Sequence, residues 1–317
     1  MSTASYNCPC GGGGPLKFSG ESGKLECTAC GNNYEPEALE MMTPEESIDE
    51  ITFANDAKRF DTGEAGMRAY FCKNCGAELM ADETAAAECP YCGSPTILPD
   101  RIEDGVKPEK VIPFVVSKEQ AQKQFEDYFK GKKLLPNVFL NSRNRISEMR
   151  RLYIPYWLFS CDACADMVYD AEKVHTEQKG EWEITRTKHY LVRRRGGMRF
   201  ENIPVDGSVK MDDKLTESLE PYDLSAAIPF QSAVLAGAMA DHADADCDAC
   251  EKRAVERSVE QTMLDTVRDY DTVSERSRRI IAERGSATPA LLPVWLMTTV
   301  KEGKTYTFAV NVQTGKL

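Results

Sequence analysis

What this chain lacks narrows its chemistry before any motif is considered. No apolar run approaches the length of about 20 residues that a membrane-spanning helix requires, and the polar opening MSTASYN does not read as a signal peptide. Histidine is scarce, with only His175, His189 and His242 in 317 residues. The first two lie in polar, strand-like contexts and the third in an acidic segment, so exposure is the default reading for each, with His242 the one candidate to join a metal cluster. There is no Walker loop, dinucleotide fingerprint, nucleophile elbow or His-Glu-x-x-His motif. Positive charge is also short. The net charge is −12, and residues 1 to 100 hold six Lys plus Arg against seventeen Asp plus Glu. Nucleic-acid affinity depends on basic side chains displacing counterions from phosphates, so this acidic third is poorly suited to gripping DNA or RNA.

Cysteine is what the chain has in quantity: twelve, arranged as six close pairs. Cys8, Cys10, Cys27 and Cys30 make one set of four, and Cys72, Cys75, Cys89 and Cys92 a second. Tetrahedral zinc takes four thiolates, two from each of a pair of knuckles across a hairpin. A knuckle curls its amides toward the sulfurs and needs a residue tolerant of positive φ after its second ligand. Gly11, Gly31, Gly76 and Gly93 each hold that position. Two zinc ribbons are therefore expected, the first with a tighter C-x-C knuckle that the four glycines after Cys10 allow to close. With no secretion signal, paired cysteines point to a reducing, cytoplasmic compartment in which thiols stay available to metal. Iron would suit rubredoxin-like knuckles, but zinc is the expected ion for a non-redox cytosolic site.

The remaining cysteines form two identical tetrapeptides, Cys161-Asp-Ala-Cys164 and Cys247-Asp-Ala-Cys250. They read either as unligated thiols or as a third four-cysteine zinc site stapling two halves of the chain, and neither pair is followed by a glycine. Reactive redox thiols require nearby positive charge, whereas Asp241, Asp244, Asp246 and Asp248 flank the second pair.

The organisation expected is α+β: a first ribbon over 1–36, a helical linker over 37–66, a second ribbon over 67–98 and a larger domain over 99–317. Thr43, Pro44 and Glu46 spell a capping box opening a linker helix from about 44 to 60. Within the large domain Ile112-Pro113-Phe114 recurs as Ile228-Pro229-Phe230, and Ile154-Pro155-Tyr156-Trp157-Leu158 as Leu292-Pro293-Val294-Trp295-Leu296. The recurrence suggests an internal duplication, with halves at about 99–210 and 211–317, built of helices on antiparallel sheets. Ser117 with Gln120 makes a second capping box, and Ala121, Phe125, Tyr128 and Phe129 share one helical face. Val255, Val259, Met263, Val267 and Tyr270 form the core stripe of a long helix. Trp182, Ile184, Tyr190 and Val192 alternate as in a strand, and Lys301 to Lys304 form a hairpin turn. FAVNVQTGKL has the shape of a strand, a turn and the first residue of another strand, which fits either a shortened chain or an end on an edge strand. Two arginine runs, Arg143, Arg145, Arg150, Arg151 and Arg193, Arg194, Arg195, Arg199, read as solvated faces balanced by carboxylates, with phosphate, acidic lipid or the protein's own acidic region as alternative partners.

The phrases FCKNCGAELMADETAAAECPYCGSP, KVIPFVVSKEQA, GKKLLPNVF, YIPYWLFSCDA, HYLVRRRGGMRFENIPVDGSVKMDD, AGAMAD and LLPVWLMTTVKEGKTYTFAVNVQTGK resemble the bacterial TFIIB-type zinc-ribbon-containing proteins of Gram-positive lineages. Members are often labelled as relatives of the primosomal replication helicase, although no helicase motif is present here. The resemblance implies a cytoplasm-facing adaptor, a hydrophobic membrane anchor in longer relatives, and phage-shock or SPFH proteins as partners in envelope-stress assemblies. A non-enzymatic zinc scaffold for protein partners is the first reading, and a nucleic-acid-binding ribbon protein of replication or transcription, using Tyr190 and Phe200 to stack on bases, is the alternative.

Overall fold

In the computed structural model, residues 8, 14–42, 47–60, 68–81, 88–95, 97–100, 105–129, 149–245, 247–301 and 304–316 are described. Cys10, Gly11, the capping box at Thr43–Glu46, Arg143, Arg145 and Asp246 lie outside them.

Three short strands, β1 (Leu16–Ser19), β2 (Lys24–Cys27) and β3 (Asn33–Tyr34), precede helix α1 (Pro36–Met42) and strand β4 (Ile48–Ala54). Next come β5 (Arg68–Cys72), β6 (Glu78–Ala81), β7 (Ile97–Asp100), β8 (Lys110–Val111) and helix α2 (Lys118–Phe129). The long strands β9 (Arg150–Lys179) and β10 (Trp182–Asp206) pair with each other. Helix α3 (Asp213–Ser218), strands β11 (Ile228–Pro229) and β12 (Met239–Asp241), and helix α4 (Cys247–Val255) follow. A π-helical turn (Glu256–Glu260) then leads to α5 (Gln261–Asp265), β13 (Thr272–Lys301) and β14 (Lys304–Asn311). The chain is α+β, with far more strand than helix.

Local chemistry accounts for several of these elements. The Ser117 amide donates to Gln120 Oε1 at 2.9 Å and the Gln120 amide to Ser117 Oγ at 3.3 Å, the reciprocal bonds of a capping box at the start of α2. Ala121 and Phe125 turn their shared face into the core. The stripe Val255, Val259, Met263, Val267 is buried throughout, yet strict four-residue spacing drifts about 40° per step around a 3.6-residue helix. The wider π turn at Glu256–Glu260 absorbs that drift, so one face stays inward. Lys301 and Lys304 are register partners, closing β13 onto β14 as a hairpin.

The expected linker helix is not what the described part of that segment forms. Residues 36–42 are helical, but Ile48–Ala54 is a strand paired with β13. Ile51 and Phe53 are half-buried while Thr52 and Ala54 are exposed, a period of two, and the Phe53 ring meets Phe159 edge-on at 5.1 Å. A sheet partner more than 200 residues away decided the conformation, which helix-start signals at its N-terminal side cannot anticipate.

Contacts divide the chain into two compact units. One comprises Met1–Thr52, Asp162–Arg199 and Arg257–Glu283; the other comprises Phe53–Cys161, Phe200–Glu256 and Arg284–Leu317. The long strands β9, β10 and β13 contribute residues to both. In the first unit β1, β2 and β3 form a small antiparallel sheet, and Met167, Tyr169, Ala171, Val192 and Ile280 are among its buried residues. In the second, the strand order β11-β8-β13-β9-β12-β6-β5-β7 carries the sheet directly from the large-domain strands into the second cysteine ribbon. The junction is the antiparallel pairing of β12 with β6, Met239 opposite Ala81 and Asp241 opposite Leu79. Strands β5 and β6 therefore belong to the same unit as β8, β11, β12 and β14. The two Pro-x-Trp-Leu strands, β9 and β13, are neighbours in this sheet, and Ile228-Pro229 (β11) pairs antiparallel with Lys110-Val111 (β8), the residues just before Ile112-Pro113-Phe114.

Candidate metal centre

Hairpin geometry assembles the second cysteine set. Strand β5 ends on Cys72, the turn through Cys75 returns the chain along β6, and a second turn carries Cys89 and Cys92. The Gly76 amide bonds the Cys72 carbonyl at 2.8 Å, the Cys72 amide bonds the Ala77 carbonyl at 2.9 Å, and Gly76 has φ of 72°. The other knuckle repeats the pattern: Gly93 to Cys89 at 2.9 Å, Cys89 to Ser94 at 2.9 Å, with φ of 70° at Gly93. A positive φ at the glycine turns the chain so that the next carbonyl, that of Ala77 or Ser94, accepts from the amide of the first cysteine, which is why glycine follows both pairs of this set.

These turns bring the four sulfurs of Cys72, Cys75, Cys89 and Cys92 within 4.8 Å of one another. The Cys72–Cys92 and Cys75–Cys89 pairs are each 3.6 Å apart. A tetrahedron with metal–sulfur bonds of about 2.3 Å has edges of about 3.8 Å, so the set is sized for a four-thiolate ion. Cys72 and Cys89 are fully buried and share a core with Leu79, Leu152, Ile154, Leu292 and Val294. Burial pushes the Cys75 thiol up to about 11 and the Cys89 thiol well above its usual range. At Cys92 burial also pushes upward, but hydrogen bonds from Asn74, the Ser94 amide and its cysteine neighbours outweigh it and bring the thiol down to about 7. A divalent ion must displace protons from Cys75 and Cys89 to bind, and in return supplies the charge that makes buried thiolates tolerable.

The first set is built likewise. Gly31 bonds the Cys27 carbonyl and Cys27 bonds the Asn32 carbonyl, both at 2.9 Å, with φ of 72° at Gly31. Cys8 reaches one residue further, its amide bonding the Gly14 carbonyl at 3.0 Å. The sulfurs of Cys8, Cys27 and Cys30 lie within 4.8 Å of one another, Cys8 and Cys30 at 3.6 Å. The Tyr34 hydroxyl sits 3.4 Å from the Cys8 sulfur. These three fit a metal as a partial thiolate set whose expected fourth ligand, Cys10, is outside the described residues.

The surroundings of the second set could not be read from spacing. Tyr91, inside the knuckle, donates to Asp241 Oδ2 at 2.5 Å, and Ser208 Oγ donates to the same oxygen. Thr298 bonds the Pro90 carbonyl at 2.9 Å. Arg150 bonds the Cys89 carbonyl at 2.9 Å and Lys210 the Cys75 carbonyl at 3.3 Å, setting two cations against the formal −2 of a metal held by four thiolates. Of these residues Arg150 and Asp241 stood out in the sequence, the first as part of a basic run and the second among the aspartates flanking Cys247 and Cys250.

No protein-family model matches the chain, and no solved structure matches it. It is 34% identical over 317 residues to the uncharacterized protein YdjG of Bacillus subtilis (strain 168), an alignment covering 99% of this chain and 88% of the relative. The chain belongs to the YdjG family. In this YdjG relative the Cys-Asp-Ala-Cys pairs follow a different geometry from the ribbon knuckles. Cys161 and Cys164 lie on the extended strand β9, where positions i and i+3 face opposite sides: Cys161 is buried and Cys164 exposed. Cys247 and Cys250 open helix α4, and the Cys250 thiol donates to the Asp206 carbonyl at 3.4 Å. Three residues apart on a helix, Cys247 and Cys250 share a face, unlike Cys161 and Cys164, and among the described residues the four are not gathered into one ligand cluster. Nor does His242 join a cluster: its Nδ1 lies 4.0 Å from Glu78, while exposed His175 and His189 lie beside Glu177 and Glu172. The described arginines of the second run are balanced as a solvated face would be. Arg193 makes two 2.7 Å bonds to Asp166, and Arg199 pairs with Asp162 at 3.1 Å.

Proposed function

We propose that this protein is a non-enzymatic, zinc-dependent adaptor, in which structural zinc holds surfaces that dock protein partners. The observation that carries the reading is the position of the second cysteine set, with Cys72 and Cys89 inside the core and neighbouring cations on the knuckle carbonyls. A catalytic zinc keeps an open coordination position, whereas a closed four-thiolate set is the structural kind. The ion of this reading is zinc, the usual occupant of a structural four-cysteine ribbon. The internal duplication belongs to this reading, the recurrent strands giving a rigid body. Phage-shock or SPFH proteins are the partners implied by the TFIIB-type zinc-ribbon resemblance, with the cytoplasmic face of the membrane as the setting and an anchor in longer relatives as the means of attachment. Among the described residues no helix is long and apolar enough to cross a membrane.

Elemental analysis of protein purified without added metal tests the core of this reading. Two zincs per chain are expected, and chelation under reducing conditions should abolish cooperative unfolding of the second unit, because metal binding and folding are one event. A compact, metal-free native protein would sink the proposal. Fluorescence anisotropy with single-stranded and duplex DNA at low salt separates the alternative: micromolar binding that weakens steeply with salt would favour a nucleic-acid role.

A further inference from the structure

The Cys247-Asp-Ala-Cys250 tetrapeptide belongs to neither ribbon, and the structure places it where two thiols can meet. It opens the nine-residue helix α4, with Cys247 half-buried and Cys250 2% exposed. Cα atoms three residues apart on an α-helix stand about 5 Å apart, inside the range of roughly 4.4 to 6.8 Å that a disulfide spans. The identical tetrapeptide at Cys161–Cys164 lies on extended β9, where three residues cover about 10 Å, too far for a disulfide to close. The Cβ atoms of a helical i, i+3 pair start about 5 to 6 Å apart and a disulfide needs about 3.8 Å, so the first turn of α4 has to tighten by about 1 to 2 Å. Cys247 is the first residue of that helix, and its amide lies outside the intrahelical ladder. The turn can therefore tighten there without breaking a helical bond at that amide.

The two sulfurs differ in the way an exchanging pair requires. Half-buried Cys247 is within reach of solvent at the positive end of the α4 dipole, which favours a thiolate, with Asp248 of the same turn opposing. Two carboxylates that flank the pair in sequence are engaged elsewhere: Asp241 Oδ2 accepts from Tyr91 and Ser208, and Asp244 Oδ1 accepts from the Val209 amide at 2.7 Å. Cys250 is held inside, its thiol donating to the Asp206 carbonyl at 3.4 Å. Both cysteines pack in the cluster of Trp157, Phe159 and Val205, where Trp157 Nε1 is buried with no hydrogen-bond partner among the described residues and supplies an N–H donor for charge on sulfur. Cys247 and Cys250 have partners within the fold. Exchange requires only that their sulfurs reach each other.

We propose that Cys247 and Cys250 form a thiol–disulfide exchange site that takes a low-molecular-weight disulfide. The Cys247 thiolate attacks one sulfur of that disulfide, forming a mixed disulfide and expelling one thiolate, which takes up the proton Cys247 gave to solvent. The Cys250 sulfur then attacks Cys247, its proton passes to the second departing thiolate, and the Cys247–Cys250 bond closes. Two protein thiols lose two electrons in all, and one external disulfide is reduced to two thiols. Neither zinc set uses the pair, so the site stands beside the adaptor reading rather than on it.

Glutathione disulfide is the probe, added to full-length, zinc-loaded protein at graded ratios to glutathione. Acid quenching, alkylation of the denatured chain and peptide mass spectrometry then read each cysteine. The expected product is a peptide carrying Cys247 and Cys250, lighter by two hydrogens and unalkylated at both, with no bond between Cys161 and Cys164. Cys250→Ala should stop at glutathione on Cys247, and Cys247→Ala should slow thiol loss from this peptide about tenfold or more, because buried Cys250 is out of reach. Urea unfolding checks that both variants fold, and the wild-type product is read without them. The proposal is overturned if wild-type Cys247 and Cys250 remain thiols in glutathione disulfide alone, if the bond formed joins Cys247 to Cys161 or Cys164, or if folded Cys250→Ala carries no glutathione on Cys247. A third equivalent of zinc that Cys247→Ala removes overturns it as well, because the pair would then be metal ligands.

Discussion

Gly76 shows how one residue type can be dictated by a metal site it never touches. A methyl group on its α-carbon would find only Lys210 Nζ, at an ordinary 3.6 Å, so space does not require glycine there; φ of 72° does. Gly76→Ala should therefore destabilise the second unit by about 1 to 2 kcal/mol and slow metal uptake. Urea unfolding and a chromophoric-chelator competition read both effects. Asn311 is the opposite kind of residue, fully buried and polar. Its Nδ2 donates to the carbonyls of Leu219 and Pro221 at 2.7 and 3.2 Å, while its Oδ1 accepts from the amides of Gln313 and Thr314 at 2.7 and 3.0 Å. Alanine there strands buried donors and acceptors together, an expected loss of about 3 kcal/mol by urea denaturation. Asn311→Asp, which keeps the acceptor and sets a carboxylate against two carbonyls, should do no better.

Among the elements, α2 permits a clean test of a local signal. Ser117→Ala removes one arm of the reciprocal cap and should cost about 1 kcal/mol, read as a lower urea midpoint with an unchanged slope. That cap was legible because its two partners lie three residues apart. The knuckles were legible for the same reason, since each amide bond spans four or five residues and glycine marks the turn. The stripe from Val255 to Val267 was legible as a face, but not the π turn that keeps it facing inward. Strand β4 was not legible, because its pairing with β13 is a contact between distant segments. The Cys-Asp-Ala-Cys pairs show the limit of the same signal: C-x-x-C specifies a ribbon knuckle only if the backbone turns, and no glycine follows either pair. Extended backbone sets Cys161 and Cys164 on opposite sides of β9, while Cys247 and Cys250 lie on helix α4.

At the scale of the whole molecule, the second cysteine ribbon is part of a sheet rather than a separate lobe, and its acidic neighbours tie pH to stability. Asp241, which receives the Tyr91 and Ser208 hydroxyls, is pushed up to about 7 by burial, against the lowering effect of those bonds. Asp206 is likewise raised to about 7 by burial, with the Ser208 amide and Thr216 opposing and the charge of Asp241 assisting. An unfolded aspartate titrates near 3.9, so between about pH 4 and 7 the native state binds more protons than the unfolded one. Stability from this pair is then fully present below the unfolded value and is lost as pH rises through 7. Below about pH 6 protonation of the thiolates would release metal and obscure the effect, so the window to measure is pH 6 to 8. Urea unfolding of metal-loaded protein should show stability falling by on the order of 1 kcal/mol per group across that window. Asp241→Asn keeps an acceptor for Tyr91 and Ser208 but cannot ionise, and should flatten the dependence by roughly half. Stability that instead rises between pH 6 and 8 would mean that the two carboxylates are already ionised and compensated in the folded state, and that the polar contacts behind the ribbon are charged ones.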